Sequence, residues 1–252
     1  MVRLTRTGAV LALTLLWAST ATAEDAPWVT AAALVKTADA DVAKSGIAGV
    51  APHVVDLEKS LADGLAAFPP KAGPDGKQII LADGGPETLM VLLGAATDKK
   101  SAVALVNPYP EAAFLLALRY NENGQWQDAL RVIDIAFRLK PVQGVNLGAH
   151  DAALLDEKAF TLEKLKRFDE ALGAADAALA ASQDDQAKAK SNRVRGYNLV
   201  ELGRLDEAEA AYRESLKQEP DNKGAPQELA YIAGLKAKKP AEPTPTIPIK
   251  PN

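Results

Sequence analysis

The sequence predicts an all-α protein built as a solenoid of helical hairpins, with a mainly helical N-terminal region carrying one or two short strands. Three observations predict it. A set of small residues returns three times in one order and one phase, polar Gly-containing turns separate stretches of helix length, and the apolar residues between those turns keep helical spacing. The clearest copy runs from Arg193 to Pro220. Gly196 sits among helix formers on a first helix, Gly203 marks a turn, and Ala208, Tyr212 and Ser215 follow a second helix that Pro220 ends. Gly196 and Ala208 face each other across the hairpin and let two backbones approach, while Leu199, Leu202, Leu205 and Tyr212 fill the space around them.

The same order recurs upstream. Ala117, Ala129, Ile133, Ala136 and Pro141 follow at offsets of 12, 4, 3 and 5, as do Ala159, Ala171, Ala175 and Ala178, with Gln183 where Pro is expected. The place before each second-helix Ala is held by Trp126, Phe168 and Leu205, in GQWQDAL, KRFDEAL and GRLDEAE. This pattern resembles the tetratricopeptide repeat, a helix-turn-helix unit of about 34 residues. The steps from Ala129 to Ala171 and from Ala171 to Ala208 are both longer than that period. The surplus falls in PVQGVNLGAHD and SQDDQAKAK, which read as long turns between repeats. The resemblance covers residues 110–236, about half the chain, and implies a right-handed solenoid.

Residues 1–23 read as a secretory signal peptide. Arg3 and Arg6 supply a positive start, Gly8 to Ala18 a short apolar stretch, and Ala21-Thr22-Ala23 a small-x-small cleavage site. About 20 apolar residues are needed to span a bilayer, nearly twice the length of that stretch, so a stable membrane anchor is not expected. The arginines are not adjacent, which excludes a twin-arginine signal, and the absence of cysteine excludes a lipobox and any disulfide. Cleavage would remove both arginines and take the net charge from −4 to −6. Nucleic-acid binding draws on a basic face, and no Lys/Arg stripe with interleaved aromatics is present. The expected destination is a bacterial periplasm, with secretion as the alternative.

Residues 24–109 carry weaker signals. Leu34, Val35, Ala38 and Val42 keep helical spacing between Thr30 and Lys44, and SGIAGVAP breaks that helix. A second helix is expected from Pro52, a favoured first-turn residue, with Val54, Leu57, Leu61 and Leu65 on one face until Phe68-Pro69-Pro70. The pair could form a degenerate repeat that caps the array. KAGPDGKQ is turn chemistry, and its Gly76-Lys77-Gln78 is no phosphate loop, because Lys71 stands where the first Gly is required and Gln78 where Ser or Thr is. QIILAD and SAVALV, short strands or extended pieces, flank a helix from about Pro86 that carries Leu89, Leu92 and Leu93. Asn107-Pro108-Tyr109-Pro110 punctuates the chain, and the repeats occupy 110–235. Their end is expected to be capped by a helix from Ala225 to Leu235, whose Leu229, Ile232 and Leu235 cover apolar surface. Residues 236–252 hold five prolines and no packable pattern, and disorder with polyproline II bias is expected.

No catalytic, cofactor or metal site emerges. The two histidines, His53 and His150, lack a recognisable second ligand and read as surface or helix-end residues. No HExxH, GxSxG or GxGxxG is present. The pairs Asp156-Glu157 and Asp184-Asp185 fall in amphipathic or turn context, where solvated charge is the default. Residues 24–109 show no polar constellation beyond scattered Asp and Lys.

Function is therefore expected from surface. In the tetratricopeptide family the first helices of successive hairpins line a concave groove that binds peptides or partner helices. The resemblance places Phe114, Leu118, Asn121, Asp156, Phe160, Glu163, Arg193, Tyr197 and Val200 on that face, Phe160 and Tyr197 being equally readable as packing between repeats. The family's carboxylate clamp wants Lys and Asn, then Asn, then Lys and Arg. This chain has Phe114, Leu118, Glu157, Lys190 and Val194, one match in five, so a peptide or helix that is apolar and partly basic is expected instead. The expectation is an exported, non-catalytic interaction protein that binds another protein, without metal, cofactor or nucleic acid. The alternatives are a ligand-binding or enzymatic domain in residues 24–109 with the repeats as a docking arm, and a self-assembling array.

Overall fold

The computed structural model describes residues 26–238, apart from residues 74, 143 and 145. The expected signal segment and residues 239–252 of the Pro-rich tail lie outside the described residues.

Two helices open the described chain, α1 (Pro27–Ser45) and α2 (Val54–Ala67), joined by a 3₁₀ segment at Gly46–His53. Pro27 begins α1 where its missing N–H would have had no partner. Pro52 lies inside the 3₁₀ segment, so α2 starts two residues after the expected place. Ala31, Val35 and Ala38 form the buried stripe of α1, and Leu57, Ser60, Leu61 and Gly64 that of α2. Gly49 lets the 3₁₀ backbone lie on α1: a Cβ there would stand 2.4 Å from the Asp41 carbonyl oxygen.

A βαβ unit follows, made of β1 (Gln78–Ala82), α3 (Gly85–Thr97) and β2 (Ala102–Val106). The strands pair in parallel, Gln78 opposite Ala102 through Ala82 opposite Val106. The two short apolar runs are therefore strands, and α3 is the crossover that parallel pairing requires. The apolar face of α3 is not the buried one. Glu87, Val91 and Ala95 turn inward, whereas Leu89, Leu92 and Leu93 are exposed.

Three hairpins and a last helix complete the chain: α4 (Tyr109–Glu122) with α5 (Trp126–Arg138), α6 (Asp151–Lys164) with α7 (Phe168–Ala181), α8 (Asp185–Glu201) with α9 (Leu205–Gln218), then α10 (Gly224–Lys238). Trp126, Phe168 and Leu205 are each the first residue of a second helix. Each is preceded by the same turn. Gly124, Lys166 and Gly203 take φ of 73°, 58° and 71°. In each turn the next residue donates its backbone N–H five residues back, Gln125 to Tyr120, Arg167 to Leu162 and Arg204 to Leu199, at 2.8–2.9 Å. This left-handed exit satisfies the carbonyls that a helix end leaves open. Asp184 caps α8, its Oδ1 accepting from Ala187 N at 2.8 Å.

First helices pack on first helices (α4 on α6, α6 on α8), and second helices on the next first helix (α5 on α6, α7 on α8), which is solenoid packing. The small residues act as expected. Ala117, Ala129, Ala159, Ala171 and Ala208 are fully buried, and a Cβ on Gly196 would meet the Tyr212 ring at 2.7 Å. The α1/α2 pair packs on α4, and α2 reaches α5, so one apolar core joins the N-terminal helices to the first repeat. Gly64 allows this, because a Cβ there would stand 2.4 Å from the Tyr109 ring. Glu58 of α2 adds a polar tie: Arg131 donates to it from both guanidinium nitrogens, at 3.0 and 2.5 Å, and Tyr120 Oη at 2.6 Å. Burial pushes the Glu58 carboxyl up, but these donors outweigh it and hold it low. At the other end α10 covers α9 with Ala225 and Ile232, while Leu229 and Leu235 are only partly covered.

Candidate functional site

The nine residues expected to line a groove all lie on α4, α6 and α8, and the structure divides them. Asn121 is buried: its Nδ2 donates to Glu157 Oε2 at 3.1 Å, and its Oδ1 accepts from Thr161 Oγ1 at 2.9 Å. Asp156 is buried as well, accepting from Ser191 Oγ at 3.0 Å with Lys190 Nζ at 3.5 Å. These two side chains join one repeat to the next and do not offer themselves to a partner. Asp156-Glu157 is thus not a solvated pair, because α8 packs over it and supplies Lys190. Lys190, the single clamp-like residue, is occupied by the same two carboxylates.

Phe114, Leu118, Arg193 and Val200 are half-buried. Phe114 packs against the core of the first repeat and Val200 against that of the third, and Arg193 is held by Glu219 just after α9. Phe160 and Tyr197 are open to solvent at 37 % and 41 %. Phe160 takes the Trp126 ring edge-on at 6.3 Å between centroids and the Lys164 ammonium 4.8 Å above its ring. Glu163 lies between the two aromatics in sequence, its Oε1 accepting from Asn198 Nδ2 at 2.7 Å. Burial pushes its carboxyl up to about 7, against the lowering effect of the Asn198 bond. The carboxylates of Glu201, Glu163 and Glu228 add to burial in raising the Tyr197 phenol. On α6 and α8 the exposed rings of Phe160 and Tyr197 accompany the half-buried Glu163, while the polar contacts of Asn121 and Asp156 are closed between successive repeats. Sequence pattern did not reveal Trp126, Lys164, Glu201 and Glu228 as neighbours of this surface, because they lie on other elements or beyond the repeat's landmark positions.

A second group of polar residues sits where the βαβ unit meets the repeats, and only Asp83 and Glu87 of it come from residues 24–109. Lys140, after α5, is 2 % exposed and lies 3.1 Å from Glu87 of α3 and in contact with Asp151 of α6, both fully buried. Asp83, following β1, accepts from His150 N at 2.8 Å and pairs with His150 Nδ1 at 2.7 Å. His150 Nε2 contacts Glu111 of α4. Burial alone would lower the imidazole, but the bonds to Asp83 and Glu111 raise it to about 10, so it is an imidazolium at neutral pH. Both ring nitrogens are spent on carboxylates, which leaves no lone pair for a metal. His53 is likewise engaged, its Nε2 2.9 Å from Asp41 Oδ2. Each charge at the junction has an opposite partner, so the group serves as a clamp that seats the βαβ unit. It was illegible in the sequence because its members come from separate elements and the turns between them.

A cavity of about 380 Å³ opens beside this junction, lined mainly by Phe68, Pro69, Ile79, Met90, Val91 and Pro141. Among the described residues no helix is long and apolar enough to cross a membrane.

No protein-family model and no curated protein matches the chain. Solved structures do resemble it. The first TPR domain of human RPAP3 is 22 % identical, over 51 % of this chain and 93 % of that one, with a TM-score of 0.45. MamA of Desulfovibrio magneticus RS-1 is 16 % identical, over 82 % and 86 %, with a TM-score of 0.48. YrrB, described as a TPR protein with an unusual peptide-binding site, is 16 % identical, over 81 % and 86 %, with a TM-score of 0.45. With every one of these TM-scores below 0.5, no residue role passes from these proteins to this chain.

Proposed function

We propose that this chain is an exported, non-catalytic interaction module that binds a peptide or helix of another protein on the α4/α6/α8 face. One observation carries the proposal: Asn121 and Asp156 are consumed in closing the repeats, while Phe160 and Tyr197 stay exposed beside a half-buried Glu163. Aromatic rings over an acidic floor suit a ligand that sets an apolar side chain next to Lys or Arg. Glu163 then acts as a tuned contact. With its carboxyl near 7, it gains charge between pH 6 and 8, and a cationic ligand gains affinity over that range by up to about tenfold.

A synthetic peptide library tests this. Peptides with Lys or Arg beside apolar residues should bind, the Phe160→Ala, Tyr197→Ala double variant should lose about tenfold or more, and Glu163→Gln should abolish the rise with pH. Binding by acidic peptides alone, or unchanged affinity in the double variant, overturns the assignment. The export component predicts a mature chain starting at Glu24, read by intact mass. A second reading, ligand binding by residues 24–109, is favoured only by the apolar cavity beside β1 and α3.

A further inference from the structure

The βαβ unit leaves an unusual amount of apolar surface in water. A parallel sheet is normally covered on both faces, and two strands alone are marginal. Here β2 is an edge strand of sequence AVALV, without the Lys, Pro or bulge that ordinarily protects an edge. Val106 is 77 % exposed, and Val103 and Leu105 are open on the opposite face of the strand. Leu89 and Leu93, 61 % and 58 % exposed, lie with Leu92 on the side of α3 opposite Val91 and Ala95. These six side chains expose on the order of 500 Å², more than half of the ~800 Å² that each partner gives to a stable interface.

We propose that this surface is the interface of a homodimer, in which the β2 edges of two copies pair antiparallel about a two-fold axis and extend the sheet to four strands. The hydrogen-bond phase fits that arrangement. Gln78 N donates to Ser101 O and Asn107 N to Ala82 O, so the alternation of the ladder leaves the N–H and C=O of Ala102, Ala104 and Val106 on the open edge. An axis at Ala104 sets Ala104 opposite its copy and Ala102 opposite Val106, and every open group on the edge finds a partner. The axis runs perpendicular to the sheet, so both copies of α3 lie on one face. Their separation is two strand spacings, roughly 9.6 Å, within the 8–10 Å at which helices pack. The charged residues that precede β2, Lys99 and Lys100, fall at opposite ends of the paired strands and do not repel across the axis. The chain's own C-terminal segment is a poor occupant of the edge, because its prolines at 240, 243, 245, 248 and 251 cannot donate to a ladder.

The test is light scattering with size exclusion on protein purified after expression of the full coding sequence. Dimers should form at micromolar concentration, and Val106→Lys and Leu93→Glu should each raise the dissociation constant tenfold or more while the circular dichroism spectrum stays that of the parent. The chain has no cysteine, so Ala104→Cys with a short thiol-reactive linker should give one crosslinked species of twice the chain mass. A monomer at ~100 µM overturns the proposal. A dimer that ignores both substitutions and leaves Ala104→Cys uncrosslinked overturns it too, since the contact then lies elsewhere, as at an open solenoid end.

Discussion

Single residues decide this molecule where burial removes them from water. Lys140 is the clearest case: its ammonium stands between the buried side chains of Glu87 and Asp151 and contacts both. Replacing such a group with apolar side chains can be neutral, but removing one partner strands the others. Lys140→Ala is therefore expected to cost about 3–5 kcal/mol in urea unfolding. A loss below about 1 kcal/mol would mean that water reaches both carboxylates. At the same scale Lys166 is the outlier among the hairpin turns, a side chain at φ 58° where the other two repeats place Gly. Its backbone is held there by the same pair of turn hydrogen bonds, so the turn shape outranks the residue's own preference.

Helices and hairpins are decided by how closely two backbones approach. Glycine in a helix ordinarily costs about 0.5–1 kcal/mol relative to Ala, and Gly173 of α7, with nothing within 4 Å of its would-be Cβ, should follow that rule. Gly173→Ala is expected to stabilise by that amount. Gly196→Ala should do the reverse by about 1–3 kcal/mol, because its methyl would meet the buried Tyr212 ring at 2.7 Å and force α8 and α9 apart. Paired thermal melts of the two variants give opposite signs if close approach governs the hairpin, and equal signs if helix propensity does. The apolar residues of α3 do not by themselves mark its buried side. PETLMVLLGAAT is apolar around most of its circumference. Periodicity therefore cannot say which side faces the protein, and the buried Glu87, an acid, marks the true inner face.

At the scale of the whole molecule, the question is what holds the βαβ unit to the solenoid. The apolar core runs from α1 through α4 to α6 and includes Leu81 of β1. The clamp of Asp83, Glu111 and His150 adds a pH-dependent tie. His150 rises from 6.5 unfolded to about 10 folded, so its contribution is complete below pH 6.5 and is lost as pH rises through 10. Asp83 and Glu111 face the ring from the end of β1 and from α4. Asp39 of α1 stands close to Glu111 and is itself pushed up by burial and then by that carboxylate. The urea midpoint should fall between pH 7 and pH 10, by an amount on the order of 2–4 kcal/mol of stability. His150→Gln should flatten that slope. A profile as steep in the variant as in the parent would assign the pH dependence to other groups.

Local chemistry by itself determined the hairpins. The spacing of Gly196 to Ala208, Ala117 to Ala129 and Ala159 to Ala171, and the turns before Trp126, Phe168 and Leu205, depend on contacts within a single repeat, so short-range pattern was enough to find them. The last helix was legible for the same reason, its Ile232 being buried as its spacing demands, whereas the runs at 78–82 and 102–106 read equally as strands or extended pieces until their parallel pairing decided it. Tertiary structure alone decided which polar residues are surface and which are joints. Asn121 and Asp156 sit at groove positions in register, yet each bonds across to the next repeat, and only the packing of α6 on α4 and α8 on α6 brings those partners near. The clamp around Lys140 and His150 is the extreme case, since its charges are drawn from Asp83 after β1, Glu87 of α3, Glu111 of α4 and Asp151 of α6. No local pattern records such a group, because the energy that selects it is Coulombic and exists only once folding has excluded the water between charges.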